Sequence, residues 1–169
     1  TTNRSELDLL DYDGFRYLIR NNKPDWIINT AAYTDVNRAE DQSDIALKIN
    51  SEIPKILSEE LHNIGGKMIH ISTDFVFDGK QNFPYLPDQK VNPLNVYGRS
   101  KAFGEKHIKE ILSPQKKAII LRTSWLMGKK GNNFVNTMVK LHIQNKEIKV
   151  VSDQIGCLTT TMTLSEVIW

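Results

Sequence analysis

Along the chain, short apolar runs alternate with longer stretches in which apolar positions recur every three or four residues. The runs Trp26-Ile27-Ile28-Asn29, Met68-Ile69-His70-Ile71 and Ala118-Ile119-Ile120-Leu121 predict strands. They are almost continuously apolar, as parallel strands covered on both faces tend to be. A fourth run, Ile148-Lys149-Val150-Val151, is weaker and reads as an edge strand. Phe15, Leu18 and Ile19 fall at helical spacing in a first helix. A second is predicted over residues 43–62, with Ala46, Ile49, Ile53, Ile56, Leu57 and Leu61 on one face. Pro54 lies inside it and should kink it, because proline lacks an amide hydrogen and crowds the preceding turn. Further helices are predicted over 96–112 and 133–145, the latter with Phe134, Met138 and Leu141 inward. Thr163 and Glu166 form the pattern of a capping box that opens a last helix.

Strand–helix alternation at this spacing predicts an α/β fold with a doubly wound parallel sheet covered on both faces. The one long irregular stretch, residues 73–93, contains three prolines and Asp78-Gly79. A loop of that length in a compact domain usually serves a function, and in such a sheet it leaves the carboxyl end of a strand, where ligands bind. The 169 residues suffice for one buried core, and 22 Lys+Arg against 20 Asp+Glu give a net charge of only +2. That balance offers no field to attract nucleic acid or a membrane surface, and no apolar run approaches a membrane span. A cytoplasmic protein is the expectation. The lone Cys157 excludes a disulfide within the chain and a multi-cysteine zinc site. The four histidines show no metal spacing, no metal is assigned, and His70 in its apolar strand reads as a satisfied core residue.

Tyr97 and Lys101 stand four apart at the start of a predicted helix and therefore share a face. A nearby ammonium favours phenolate and would lower a tyrosine pKa from its usual value of about 10 toward the working pH. A hydroxyl from Ser72 or Thr73, at the end of the second apolar strand, could orient a substrate carbonyl beside it. The Tyr-x-x-x-Lys spacing alone is a common coincidence. Its setting carries the weight: strand, Ser-Thr, long loop, then Tyr-x-x-x-Lys opening a helix.

The segments 71–79 (ISTDFVFDG) and 92–101 (NPLNVYGRSK) closely resemble the extended short-chain dehydrogenase/reductase family, within it the dTDP-4-dehydrorhamnose reductase branch. Supporting blocks lie at 29–36, 121–125, 131–134 and 153–157. The resemblance implies a Rossmann-like domain and hydride transfer to the 4-keto carbon of a nucleotide-linked 6-deoxy sugar, for cell-surface polysaccharide precursors. It assigns Thr73, Tyr97 and Lys101 to catalysis: Tyr97 protonates the developing alkoxide, Lys101 holds the nicotinamide ribose, and Thr73 hydrogen-bonds the reacting oxygen. NADP(H), or else NAD(H), is the implied cofactor. Arg4, Asp8, Leu9, Ala31, Ala32 and Tyr33, with Tyr97 and Lys101, are implied around it. For Arg4 and Asp8 a solvated surface charge is the alternative. Asp74, Phe75 and Trp125 are implied on the substrate side, a core tryptophan being the alternative for Trp125. Asn132 and Asn133 are either substrate-side groups or a helix cap.

Phe75, Met127 and Leu158 stand where the branch often carries Tyr, Tyr and Pro. A nucleotide-sugar dehydratase normally has Asp-Glu after the Thr, whereas Asp74 is followed by Phe75. An epimerase–reductase needs a Cys/His pair that Cys157 does not supply. The rival of a different class is a non-catalytic relative that keeps the fold as a binding module, like the regulatory subunit of methionine adenosyltransferase. The resemblance assigns residues 1–152 to part of the dinucleotide-binding domain and 153–169 to the start of a substrate-binding lobe. The helices at 43–62 and 96–112 correspond to those that often pair two subunits in the family, which implies a homodimer; ordinary core is the alternative for their apolar stripes. The Gly-rich turn that binds the pyrophosphate occurs nowhere in the chain. The expectation is therefore a piece of a longer protein, lacking the N-terminal strand–turn–helix and much of the C-terminal lobe, and neither binding NADP(H) tightly nor catalysing by itself.

Overall fold

The computed structural model describes residues 7–131 and 133–169, so Arg4 and Asn132 lie outside the described residues. Packing divides the chain into two compact units, one ending at Arg122 and the other running from Thr123 to Trp169. This is a boundary of packing; the division at 152/153 implied by the resemblance is one of ligand duty.

The first unit is built on a three-stranded sheet of β1 (Trp26–Asn29), β2 (Lys67–Thr73) and β3 (Ala118–Thr123), in the order β1-β2-β3. β1 and β2 run parallel, with Trp26 opposite Lys67 and Asn29 opposite His70. Their carboxyl ends therefore lie side by side. Only β2 is buried along nearly its whole length. Trp26 and Ile28 on β1 and Ile119 on β3 keep more than a third of their surface exposed, so continuous apolarity overstated the burial of the outer strands.

Helix α1 (Tyr12–Asn22) is capped by Asp11, whose carboxylate accepts the Gly14 amide, and buries Phe15 and Ile19. A short helix that the periodicity did not reveal, α2 (Val36–Asp41), is capped by Asp35. The helix predicted over 43–62 forms as three joined pieces: α3 (Ser43–Leu47), a π turn (Lys48–Glu52) and α4 (Ile53–Ile64). The wide turn lies just ahead of Pro54, where the proline ring would crowd an ordinary α-helical carbonyl. Gly65 ends α4 in the left-handed conformation. Helix α5 (Val96–Ile111) packs against α4 and the π turn. Ile19, Ile53, Leu61, Met68, Ile108 and Leu112 form the buried centre of this unit. Each such side chain stabilises the fold by about 1.5–3 kcal/mol.

The second unit pairs two short parallel strands, β4 (Leu126–Met127) and β5 (Thr159–Thr160), and carries α6 (Phe134–Ile143) and α7 (Thr161–Ile168). Residues 148–151 do not form the expected strand; Val150 and Val151 are exposed in irregular chain. The cap of α7 is Thr160 rather than Thr163. Thr160 has extended backbone and accepts the Thr163 amide at 3.0 Å, whereas Thr163 already lies inside the helix. Phe134, expected inward, is 57% exposed.

Candidate active site

The chain leaves β2 at Thr73 and enters a 3-10 turn, Asp74–Val76. The Thr73 hydroxyl organises this exit: it accepts the Phe75 amide at 3.2 Å and donates to Asp74 Oδ1 at 3.1 Å. Asn95 caps α5 by accepting the Gly98 amide at 2.7 Å, which sets Tyr97 in the first turn. Gly98 lets that turn close on β2's exit, since a Cβ there would lie 2.2 Å from the Phe75 carbonyl oxygen. The Phe75 and Tyr97 rings meet edge to face at 5.6 Å, and the Thr73 hydroxyl lies close enough to act on the Tyr97 phenol.

This environment raises the Tyr97 pKa above its usual value. Burial is the main cause; the neighbouring Thr73 hydroxyl opposes it, and the Asp74 charge adds to it. Asp74 is raised too, by burial, against the hydrogen bonds it receives. The expected lowering of the tyrosine pKa by Lys101 is not found. The Lys101 amine donates instead to the Ile71 carbonyl at 2.7 Å and lies 3.4 Å from His70 Nε2. Lys101 is 2% exposed, and burial lowers its pKa to about 8, with Glu105 pulling the other way.

Residues that spacing did not single out hold this arrangement. Glu105 follows Lys101 by one helical turn and is 1% exposed. Its carboxylate accepts from Ser72 at 2.6 Å, from Arg122 at 2.6 and 2.9 Å, and from Lys109 at 3.2 Å. Despite burial, those partners hold it below the usual carboxylate range, the Arg122 hydrogen bonds foremost. The available signal was the continuation of the Tyr97–Lys101 face to a third residue. Asn50, in the π turn, donates to Ser100 and to the Tyr33 carbonyl, and accepts the Tyr33 amide at 2.9 Å. The Tyr33 hydroxyl donates to Gln42. The turn after β1 is thus clamped at Tyr33, while Asn29 accepts the Ala31 amide at 3.2 Å and Ala31 and Ala32 are half-buried.

The long loop is tied down by Asp78. It accepts from the Lys80 amide, the Tyr85 hydroxyl and the Asn92 side chain. Phe77 stacks on Tyr85 at 4.2 Å, and the Arg122 guanidinium lies over Phe77. Asp8 is exposed and accepts the Leu10 amide, and Leu9 packs against the core of the first unit. Trp125 belongs to the second unit, where it is 46% exposed and lines a cavity of about 310 Å³ with Met127, Phe134, Val150 and Gln154. Asn133 caps α6 by accepting the Asn136 amide. Thr73, Tyr97 and Lys101 are gathered at the paired carboxyl ends of β1 and β2, beside the turn carrying Ala31 and Tyr33.

Residues 1–169 match the family described as RmlD substrate binding domain. The spore coat polysaccharide biosynthesis protein SpsK of Bacillus subtilis is 40% identical over 96% of this chain and 56% of its own length. A dTDP-4-dehydrorhamnose reductase of Aggregatibacter actinomycetemcomitans is 44% identical over 90% of this chain and 51% of its own. The chain thus spans about half the length of the curated relatives it matches. Among solved structures, a dTDP-4-dehydrorhamnose reductase of Clostridium acetobutylicum superposes with a TM-score of 0.92 at 40% identity, over 99% of this chain and 58% of that one. The enzyme of that name from Bacillus anthracis, solved with NADP, superposes with 0.92 at 38% identity and the same coverage. WbmG of Bordetella bronchiseptica, solved with NAD, has 18% identity and a TM-score of 0.81, a likeness of fold alone. The fold is Rossmann-like, and the chain belongs to the RmlD substrate binding domain family.

Proposed function

We propose that this chain supplies the catalytic residues of a reductase acting on the 4-keto group of a nucleotide-linked 6-deoxy sugar, of the dTDP-4-dehydrorhamnose to dTDP-rhamnose type. The observation that carries this reading is the juxtaposition of the Tyr97 and Thr73 hydroxyls at the ligand end of a parallel sheet, with Lys101 one turn along the same helix. Relatives named dTDP-4-dehydrorhamnose reductase support it.

The residues present fit a nicotinamide cofactor. The turn after β1 offers backbone beside two small side chains, Ala31 and Ala32, and is held open to approach by the Asn50 clamp on Tyr33. Lys101 gives one hydrogen to Ile71 and keeps at least one more, as amine or ammonium, for a ribose hydroxyl. Ala31, Ala32, Tyr33 and Lys101 would hold the group, with Asp8 and Leu9 toward the adenine. When bound, the cofactor supplies the hydride; NADP(H) is our reading, since a relative at 38% identity was solved with NADP.

Tyr97 is the acid. Its raised pKa keeps the hydroxyl protonated at neutral pH, as proton donation to a developing alkoxide requires. When substrate binds, the Thr73 hydroxyl turns its hydrogen from Asp74 to the ketone oxygen and so orients it toward Tyr97. Asp74 and Phe75 line the approach, and Trp125 offers an apolar face to a sugar. A homodimer through the faces of α4 and α5 is part of this reading.

The test is NADPH oxidation by the full-length protein. Turnover is expected only with a 4-keto-6-deoxy sugar nucleotide, and Tyr97→Phe should lower kcat by about 10²–10⁴-fold. Unchanged turnover in that variant would sink the mechanism. Wild-type protein that binds the nucleotide sugar but turns over none would favour a binding module.

A further inference from the structure

His70, fully buried in β2, touches polar groups on both sides. Its Nδ1 lies 3.1 Å from Asn29 Nδ2, and its Nε2 lies 3.4 Å from Lys101 Nζ. Asn29 and Lys101 are themselves 5% and 2% exposed, so no bulk water completes this chain.

The hydrogens can be placed by elimination. The Ala31 backbone amide can only donate, and it donates to Asn29 Oδ1. Asn29 therefore turns its NH₂ toward His70, and Nδ1 must accept. A neutral imidazole carries one hydrogen, which then sits on Nε2 and points at Lys101 Nζ. An ammonium has no lone pair to receive it; an amine has. At the far end Lys101 donates to the Ile71 carbonyl. Every bond then runs the same way, from the Ala31 amide through Asn29, His70 and Lys101 to the Ile71 oxygen. With an ammonium, two donors would face each other in a dry interior, where a mispaired polar contact is costly.

We propose that His70 is a positioning residue acting through Lys101: its Nε2–H favours the lysine amine over the ammonium and fixes where that nitrogen sits. Lys101 then gains and loses a proton near neutral pH instead of standing as a permanent charge. Burial holds His70 down to about 3, and Lys101 acts in the same direction whenever it carries its proton, so the ring stays neutral across the working range. The other charged group acting on both residues is Glu105, from α5, which raises each. Its own carboxylate stays ionised through its bonds to Ser72, Lys109 and Arg122. β1 presents only the Asn29 amide. The inference rests on the reductase reading for its consequence in turnover; the tautomer and the lysine titration stand without it.

The experiment is long-range ¹H–¹⁵N NMR of histidine-labelled full-length protein, with lysine ¹³Cε titration of the same material. The expected result is an Nε2–H tautomer for His70 that does not titrate between about pH 5 and 9, and a Lys101 midpoint near 8. In His70→Gln the amide can turn its oxygen to the ammonium, and in Asn29→Ala the ring is free to move its hydrogen to Nδ1. Both variants should raise the Lys101 midpoint by about one pH unit or more, and the alkaline limb of the kcat profile should move with it. An Nδ1–H tautomer in the wild-type protein overturns the proposal, a reading that needs no variant to fold. A Lys101 midpoint unmoved in the folded variants overturns it equally. If the tautomer and the midpoints behave as expected while turnover is absent, the reductase reading fails and this one stands.

Discussion

Glu105 illustrates how one side chain decides the local geometry. It is a buried carboxylate shared by β2's Ser72, β3's Arg122 and its own helix neighbour Lys109, so it ties α5 to the sheet just below the catalytic face. Its acid is held below the usual range because three cationic or hydroxyl partners outweigh the cost of burial. Replacing it with Gln keeps the shape but removes the charge that Arg122, with its side chain 13% exposed, is paired against. Breaking a buried pair from one side leaves an uncompensated charge, and Glu105→Gln should cost about 3 kcal/mol. Urea unfolding at neutral pH would show this as a lower midpoint at unchanged slope; an unchanged midpoint would mean that water already solvates Arg122. Sequence spacing made Tyr97 and Lys101 visible because their chemistry is distinctive. Glu105 lies on the same face, but an acid in a helix is usually a solvated one, and only tertiary burial separates the two cases.

Among the elements, the periodic signal located α1, α4 and α5, each of which buries a regular face, and β2, which is buried along nearly its whole length; it also located α6, β1 and β3, which are buried far less. It failed where burial is not periodic. Residues 148–151 are apolar, but Val150 and Val151 line the cavity beside Trp125 instead of joining a sheet. The expected kink at Pro54 takes the form of a π turn, which sequence alone could not distinguish from a simple bend. That turn has a partner across the helix packing. A Cβ on Gly104 of α5 would lie 2.2 Å from the Asn50 carbonyl oxygen and 3.3 Å from the Pro54 ring. The obstacle is backbone, which cannot swing aside as a flexible side chain would. Gly104→Ala should therefore push α5 from the π turn and destabilise the protein by about 1–3 kcal/mol. It should also loosen the Asn50 clamp on Tyr33, read as faster hydrogen exchange of the Tyr33 amide. Exchange and stability both equal to wild type would show that the two helices have room to separate.

At the scale of the whole molecule, the alternation of strands and helices made the α/β class legible, and the order of motifs made the family legible. Neither reveals which ionisable groups are dry, because burial is assembled from distant segments: β1, β2 and α5 enclose His70 only once the sheet has formed. That enclosure makes stability depend on pH in a direction the near-neutral net charge does not suggest. His70 is held from its usual 6.5 down to about 3 in the folded state. Between those values the unfolded chain binds a proton that the folded chain refuses, so stability rises with pH across the window and is lost as pH falls through it. The maximal slope from one such group is about 1.4 kcal/mol per pH unit. Glu105 acts in the same sense, but its depressed carboxylate contributes only below the ordinary carboxylate range, about pH 4.5. Urea unfolding of wild-type protein and of His70→Gln between about pH 6.5 and 4.5 isolates the histidine, since the glutamine does not titrate. The stability gap between the two should move against the wild type by roughly 1 kcal/mol or more per pH unit as the solution is acidified. A gap that stays constant over that interval would mean that the folded protein protonates His70 as readily as the unfolded chain, and the ring would not be the dry, neutral link between Asn29 and Lys101.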